Sequence, residues 1–224
     1  MSELLPLFLN LTGRAVVLVG GGPVATAKLR QLLAAGADVR VIAPEVTGEI
    51  AATPGITIEV RSFEPVDLDG AWLVVAAATP GVNRQVAEAA EARQLFVNAV
   101  DDPANASAFL GGVVRRDGVT LAISTSGAAP ALAALLREGL DALLPRDLAS
   151  WMWQARASRV AWRRDGVPME GRKPRLLQAL NQLYERSAEP AEPSAKGALA
   201  ISAIAAGERG PRVPWLHAPE DSWL

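Results

Sequence analysis

The stretch from Arg14 to Pro44, RAVVLVGGGPVATAKLRQLLAAGADVRVIAP, limits the possible fold more than any other part of the chain. Ala15 to Val19 is a short, nearly all-apolar run rich in β-branched residues, which suits a strand buried on both faces of a parallel sheet. It runs directly into Gly20-Gly21-Gly22. A segment of helical period follows, with Val24, Ala27, Leu29, Leu32 and Leu33. Gly36 comes after the last turn, where a left-handed cap is expected, and Asp38 to Ala43 reads as a second apolar strand. This is one strand-helix-strand crossover of about 30 residues.

Its glycines are spaced G-x-G-x-x-A, with Gly20, Gly22 and Ala25 in the three places. The first permits a tight turn, the second lets backbone approach a pyrophosphate, and the small third lets helix pack on strand. The helix start adds free N–H groups and the positive end of its dipole. Alone the spacing is a weak signal; between a strand and a helix it predicts a dinucleotide site.

Further strands are expected at Ile56 to Val60, Leu68 to Ala78 and Leu95 to Val100. Thr79-Pro80-Gly81 reads as a turn, and Val82 to about Arg93 as a helix. Pro44 to Pro54 is a polar connection with a weak helical patch, and Leu4 to Leu11 an extended lead-in, an edge strand or lid. Such alternation predicts an α/β, Rossmann-like, doubly wound parallel sheet. Ligands then sit at the carboxyl ends of the strands, which places Gly20 to Val24, Ala43 to Glu45, Ala78 to Gly81 and Asn98 to Asp102 together. After the second strand Glu45 is the acid available for a ribose diol. No Arg or Lys stands there for a 2′-phosphate, so NAD is favoured over NADP.

Beyond Asp101 the pattern changes. Ala108 to Arg115 and Val119 to Ser124 are extended runs joined through Asp117-Gly118, a hairpin signal. Helices are expected over Pro130 to Leu143, about Asp147 to Arg163 with Trp151, Trp153 and Trp162, and about Lys173 to Arg186 with Leu176, Leu177, Leu180 and Leu183. Their aromatic and leucine positions are read as core or dimer contact rather than a cofactor stack. The chain divides accordingly into a dinucleotide-binding domain (1–106), a dimerisation region (107–145), a helical domain (146–187), and a linker with an irregular tail (188–224). Within the last, Ser187 to Ser194 reads as linker and Lys196 to Ala206 as a short apolar helix.

Composition excludes several classes. A formal charge of −2 with no dense basic block argues against nucleic acid. With no Cys and one His (His217), thiolate chemistry and a His-cluster metal site are excluded, so no metal ligand is assigned. No apolar run reaches membrane-spanning length, and MSELLPLFLNLTGR lacks the basic n-region of an export signal. The expectation is a cytoplasmic protein without metal.

Three stretches together resemble a known family: GGGPVATAKLRQLLAAGADVRVIAP, then FVNAVDDP at Phe96 to Pro103, then AISTSGAAPALAALLREGLDALLP at Ala122 to Pro145. They look like the precorrin-2 dehydrogenases, NAD-dependent enzymes of siroheme and cobalamin synthesis that also occur as the N-terminal module of siroheme synthase. Some members also insert iron or cobalt into the product, sirohydrochlorin. The match runs over about residues 4 to 150. It implies that Asp101 is the catalytic general base. It implies that Pro23, Val24, Pro44 and Glu45 touch NAD, beside Gly20, Gly22 and Ala25 expected there from the glycine spacing and Ala78 and Thr79 from the strand end. Asn98, Ser124, Thr125, Ser126 and Gly127 would face the tetrapyrrole, precorrin-2 or sirohydrochlorin. It further implies a homodimer. The chain departs from relatives in carrying Ala27 before Lys28 and Thr79-Pro80-Gly81 after the fourth strand.

Plainer roles compete with these. Asp101 or Asp102 would serve as a cap for the turn before Pro103, and Ser124 to Ser126 as an N-cap cluster for the next helix. A sensor that binds NAD(H) without turnover is the alternative function.

Overall fold

A computed structural model describes residues 4–187, which fall into two compact units divided in the chain between Leu148 and Ala149. The linker, short helix and tail expected over 188–224 lie outside the described residues.

In the first unit, β1 (Ala15–Val19), β2 (Asp38–Ala43), β3 (Thr57–Val60), β4 (Leu73–Ala76) and β5 (Phe96–Ala99) form one wholly parallel sheet in the order 3-2-1-4-5. The order reverses between β1 and β4, which is where such sheets open a crevice. Side-chain alternation along β1 explains the apolar runs. Val16 and Leu18 pack with Ala25, Leu29, Leu32 and Ile50 on one face. Val17 and Val19 pack with Val86, Ala90 and Leu68 on the other. Both faces are covered, so the central strands have no polar side to show.

α1 (Pro23–Ala34) ends as expected at Gly36, which has φ +77°. Gly36 donates to the Leu33 carbonyl at 2.9 Å and Ala37 to the Leu32 carbonyl at 3.2 Å, a Schellman closure. The weak helical patch after β2 is a real short helix, α2 (Gly48–Ala52), because the Thr47 hydroxyl accepts from the Ile50 N–H at 3.3 Å.

Three expected elements differ. The fourth strand is shorter than Leu68 to Ala78. Pro65–Leu68 forms a 3-10 turn whose Leu68 is buried in the core, and Gly70 at φ +79° redirects the chain before β4 begins. Thr79-Pro80-Gly81 is the start of α3 (Pro80–Glu91), where Pro80 occupies the first turn at no cost because that N–H has no partner in a helix. The lead-in forms no strand; residues 4–11 are irregular, and only Leu11 is buried there.

β6 (Gly112–Arg116) and β7 (Val119–Ile123) make the antiparallel hairpin expected from Asp117-Gly118. Both turn residues have positive φ, 49° and 83°, as a type I′ turn requires. α4 (Pro130–Leu143) lies against β6. Arg116 fastens it by donating to the Asp141 carboxylate at 2.6 Å and to the Leu144 carbonyl at 3.2 Å.

The second unit contains α5 (Leu148–Arg164) and α6 (Met169–Ser187). α6 starts a turn earlier than Lys173 and carries Pro174 inside it. Val167 and Leu180 are buried, whereas Trp153 and Leu177 are exposed, so the aromatic and leucine positions here are only partly core.

Candidate functional site

The glycine turn is shaped by close backbone approaches. Gly20 adopts φ +127°, and a Cβ there would collide with the Ala77 carbonyl at the end of β4. Gly21, the unspecified place in the sequence motif, is equally constrained. A Cβ on it would collide with the Glu45 carbonyl, and its own carbonyl accepts from Thr47 N–H at 2.9 Å. Around the Cβ position of Gly22, by contrast, nothing lies within 4 Å. Gly22 is the N-cap residue of α1 and offers no side chain to its first turn. Pro23 has no N–H, so Val24 and Ala25 present the backbone donors. The result is an open cradle with uncapped donors at a helix N-terminus, which fits a pyrophosphate. Ala25 is fully buried and acts through packing, as the third motif position should.

Glu45 and Pro44 are exposed beyond β2. Their turn is held by Thr26, whose hydroxyl bonds the Thr47 hydroxyl at 2.9 Å and donates to the Gly22 carbonyl at 3.0 Å. At the end of β4, Ala78 N–H donates to buried Asn83 Oδ1 at 2.9 Å, while Asn83 Nδ2 donates to the Val100 carbonyl at 3.4 Å. Asn83 thus ties the Ala78-Thr79 end of β4 to the Asp101 turn. Asn83 is not among the site residues expected from the sequence, although one amide among Val82, Val86, Ala89 and Ala90 is a visible exception to an apolar face.

A cavity of about 620 Å³ opens at the carboxyl end of the sheet. Asn98, Asp101, Ser124, Thr125 and Gly127 line it; Ser126 does not. Asp101 follows β5 with φ +57°, a left-handed conformation uncommon for a residue with a side chain. Asp102 also lines the cavity, but its carboxylate accepts from Asn105 Nδ2 at 2.7 Å and closes the turn beginning at Pro103. Asp102 stands at the N-cap position of that turn but bonds the Asn105 side chain rather than a backbone N–H. Neither acid therefore acts as a side-chain cap there, and Asp101 lines the cavity.

Asn98 is 6% exposed. Its Nδ2 donates to the Ala108 carbonyl at 2.9 Å, so its amide orientation is fixed. Its Oδ1 is buried and has no protein partner, the kind of acceptor a ligand satisfies. From α1, Lys28 reaches the same cavity and donates to the Leu110 carbonyl at 3.5 Å. Burial lowers its pKa from the ordinary lysine value, and the Asp101 carboxylate opposes that shift. Lys28 is not among the site residues expected from the sequence. Its position one turn beyond Val24, on the side of α1 between Ala25 and Leu32, was the available signal.

The Ser124–Gly127 loop does not cap α4 as an N-cap cluster would. The N-cap residue is Ala129, without a side-chain cap. Ser124 Oγ accepts from Ser126 N–H at 3.1 Å, and Thr125 Oγ1 from Ala129 N–H at 3.2 Å. Ser126 and Gly127 have φ of 54° and 76°. A Cβ on Gly127 would lie 2.8 Å from Pro103 Cγ, so this loop packs directly on the turn that follows Asp101.

The cavity is lined from Lys28, the end of β5 with the turn after it and the 109–137 segment, and by none of Gly20, Gly22, Pro23, Val24, Ala25, Pro44, Glu45, Ala78 or Thr79. Parallel sheet and glycine cradle define a dinucleotide-binding module. Comparison with known proteins makes this specific. A family model described as putative NAD(P)-binding matches residues 7–112, and one described as sirohaem biosynthesis protein central matches residues 116–143. Siroheme synthase 3 of Aeromonas hydrophila is 44% identical over 152 residues, which cover 66% of this chain and 32% of that protein. Siroheme synthase of Pseudomonas entomophila is 45% identical over 147 residues, covering 64% and 32%. The solved structure of SirC, precorrin-2 dehydrogenase, superposes with a TM-score of 0.62 at 26% identity, covering 78% of this chain and 88% of that one. The chain is thus similar to siroheme synthases over about two thirds of its length, and to a precorrin-2 dehydrogenase in fold. It spans about a third of the length of the siroheme synthases it matches.

Proposed function

We propose that the chain catalyses NAD-dependent dehydrogenation of precorrin-2 to sirohydrochlorin, in siroheme or cobalamin synthesis. The observation that carries this reading is the single cavity that brings Asp101 together with the unpartnered Asn98 acceptor and the Ser124–Gly127 loop. The similarity to SirC supports it.

NAD, when bound, supplies a hydride acceptor. The chain's own residues do the rest. Gly20, Gly22 and the first-turn N–H groups of α1 hold the pyrophosphate. Pro23, Val24, Ala78 and Thr79 flank it, and Glu45 accepts from a ribose hydroxyl. Asp101 takes the proton that leaves the macrocycle as the hydride departs, the work of a general base. Asn98 and the Ser124–Gly127 loop orient the substrate, and Phe109, Leu110 and Val113 give the cavity an apolar wall that limits water.

Two further activities and states belong to the same reading. Insertion of Fe²⁺ or Co²⁺ into sirohydrochlorin would use Asp101 to receive pyrrole protons, the metal entering as substrate. Leu132, Leu135, Leu136, Leu140 and Leu143 leave α4 with an exposed apolar stripe, which supports a homodimer. We place the enzyme in the cytoplasm, with its cofactor pool; no described helix is long and apolar enough to cross a membrane.

The test is anaerobic incubation of the purified chain with precorrin-2 and NAD, followed by absorbance. Conversion to the sirohydrochlorin spectrum with matching NADH is expected. NAD binding without spectral change would favour the sensor instead. A parallel cuvette with Co²⁺ tests insertion separately.

A further inference from the structure

The cavity receives cationic side chains from three elements: Lys28 from α1, Arg115 from β6 and Arg137 from α4. Little of their charge is neutralised within the fold. Neighbouring residues of a strand face opposite sides, and here the two arginines of β6 have divided their tasks accordingly. Arg116 is committed to Asp141 and the end of α4, whereas Arg115 has no ion-pair partner among the described residues. Lys28 bonds only a neutral carbonyl. Arg137 pairs with adjacent Glu138 at 3.1 Å, in a solvent-open geometry where such pairs contribute little. The acids lining the cavity are Asp101 and Asp102, the latter held in its own turn. Asn98 Oδ1, buried and unpaired in the same cavity, independently calls for a ligand donor.

We propose that Lys28, Arg115 and Arg137 form a carboxylate-reading wall, which selects a ligand bearing several carboxylates and a ring N–H directed at Asn98. This rests on the function proposed above, and the macrocycle there has both features: carboxylate arms at its rim and pyrrole N–H groups at its centre. Arg115, which has no ion-pair partner among the described residues, and Lys28, hydrogen-bonded only to a carbonyl, are available to a ligand carboxylate. A carboxylate entering between them forms charge-assisted hydrogen bonds stronger than neutral ones. The partly buried Lys28 ammonium, whose pKa is lowered by desolvation, fits a cation kept for a ligand rather than for the fold.

Equilibrium titration of the full chain with sirohydrochlorin, without NAD, reads the wall apart from turnover. Arg115→Ala and Lys28→Met are each expected to weaken binding about 10-fold or more, with NAD affinity retained as the check on folding. Arg115→Lys should recover part of the loss, and the methyl ester of sirohydrochlorin should bind poorly to every form. If Lys28→Met loses NAD affinity, Lys28→Gln and the Arg115 variants carry the test. Equal binding by native and variant proteins overturns the wall even if the native chain oxidises precorrin-2. Weakened binding in a chain without oxidation keeps the wall and removes the dehydrogenase. Absence of binding by the native chain overturns both.

Discussion

Gly21 lies so close to the carbonyl of Glu45 that no side chain fits between them. The turn carrying the expected ribose ligand is therefore seated on the middle residue of the glycine cradle. Gly21→Ala is expected to displace Glu45 and loosen the α2 N-terminus, because backbone rather than a flexible side chain must yield. Titration with NAD should show affinity lowered about 10-fold or more, alongside a reduced melting temperature. An unchanged NAD affinity would mean that the two turns do not depend on each other.

The Thr26–Thr47 bond makes the same connection through side chains. Thr26→Val keeps the shape of a buried residue but leaves the Thr47 hydroxyl and the Gly22 carbonyl without it. A loss of about 1 kcal/mol is expected in chemical denaturation, the usual scale for one such bond. Thr26→Ser should cost less.

Much of this arrangement was legible in the sequence. β1, α1 and β2 followed from apolar runs punctuated by Gly22 and Gly36, since burial on both faces and a left-handed cap each demand particular residues. The hairpin followed from Asp117-Gly118 for the same reason. Legibility failed where long-range contact decided the outcome. Leu68 is as apolar as a strand residue, yet it plugs the core from a 3-10 turn, so composition alone extended β4 too far. Pro80 was ambiguous between turn and helix start. Gly21, Asn83 and Lys28 are set by what lies across from them, and a linear pattern does not contain that information. The role proposed for Asp101 rests on motif resemblance; in the structure Asp102 is bonded to Asn105 while Asp101 lines the cavity.

Asp67 gives a pH prediction outside the site. It is buried, and Arg61 donates to it at 2.6 and 2.8 Å, which holds its carboxyl below the usual carboxylate range; the Glu64 N–H adds to this at 2.8 Å. A carboxyl depressed in the folded state stabilises above its unfolded pKa, and that contribution fades as pH falls through the folded value. Stability should therefore decline in acid, on the low side of the carboxylate range. Asp67→Asn should lower stability at neutral pH by about 1–3 kcal/mol and flatten the acid limb. Urea denaturation across pH measures both.

For the α4 stripe, Leu136→Glu with Leu140→Glu should convert the proposed dimer to a monomer without unfolding it, since both side chains are already exposed. Light scattering after size exclusion reads the mass directly. A native monomer would remove the dimer from the account.

The central claim is that Asp101 supplies the base. Asp101→Asn is the suitable variant, because asparagine tolerates the left-handed backbone that Asp101 adopts at φ +57° while lacking a basic carboxylate. The decisive measurement is the rate of NADH appearance with precorrin-2 for native and Asp101→Asn protein, each at saturating NAD. The account predicts a fall of about 10²- to 10⁴-fold with NAD affinity unchanged. A variant that turns over at the native rate would contradict it.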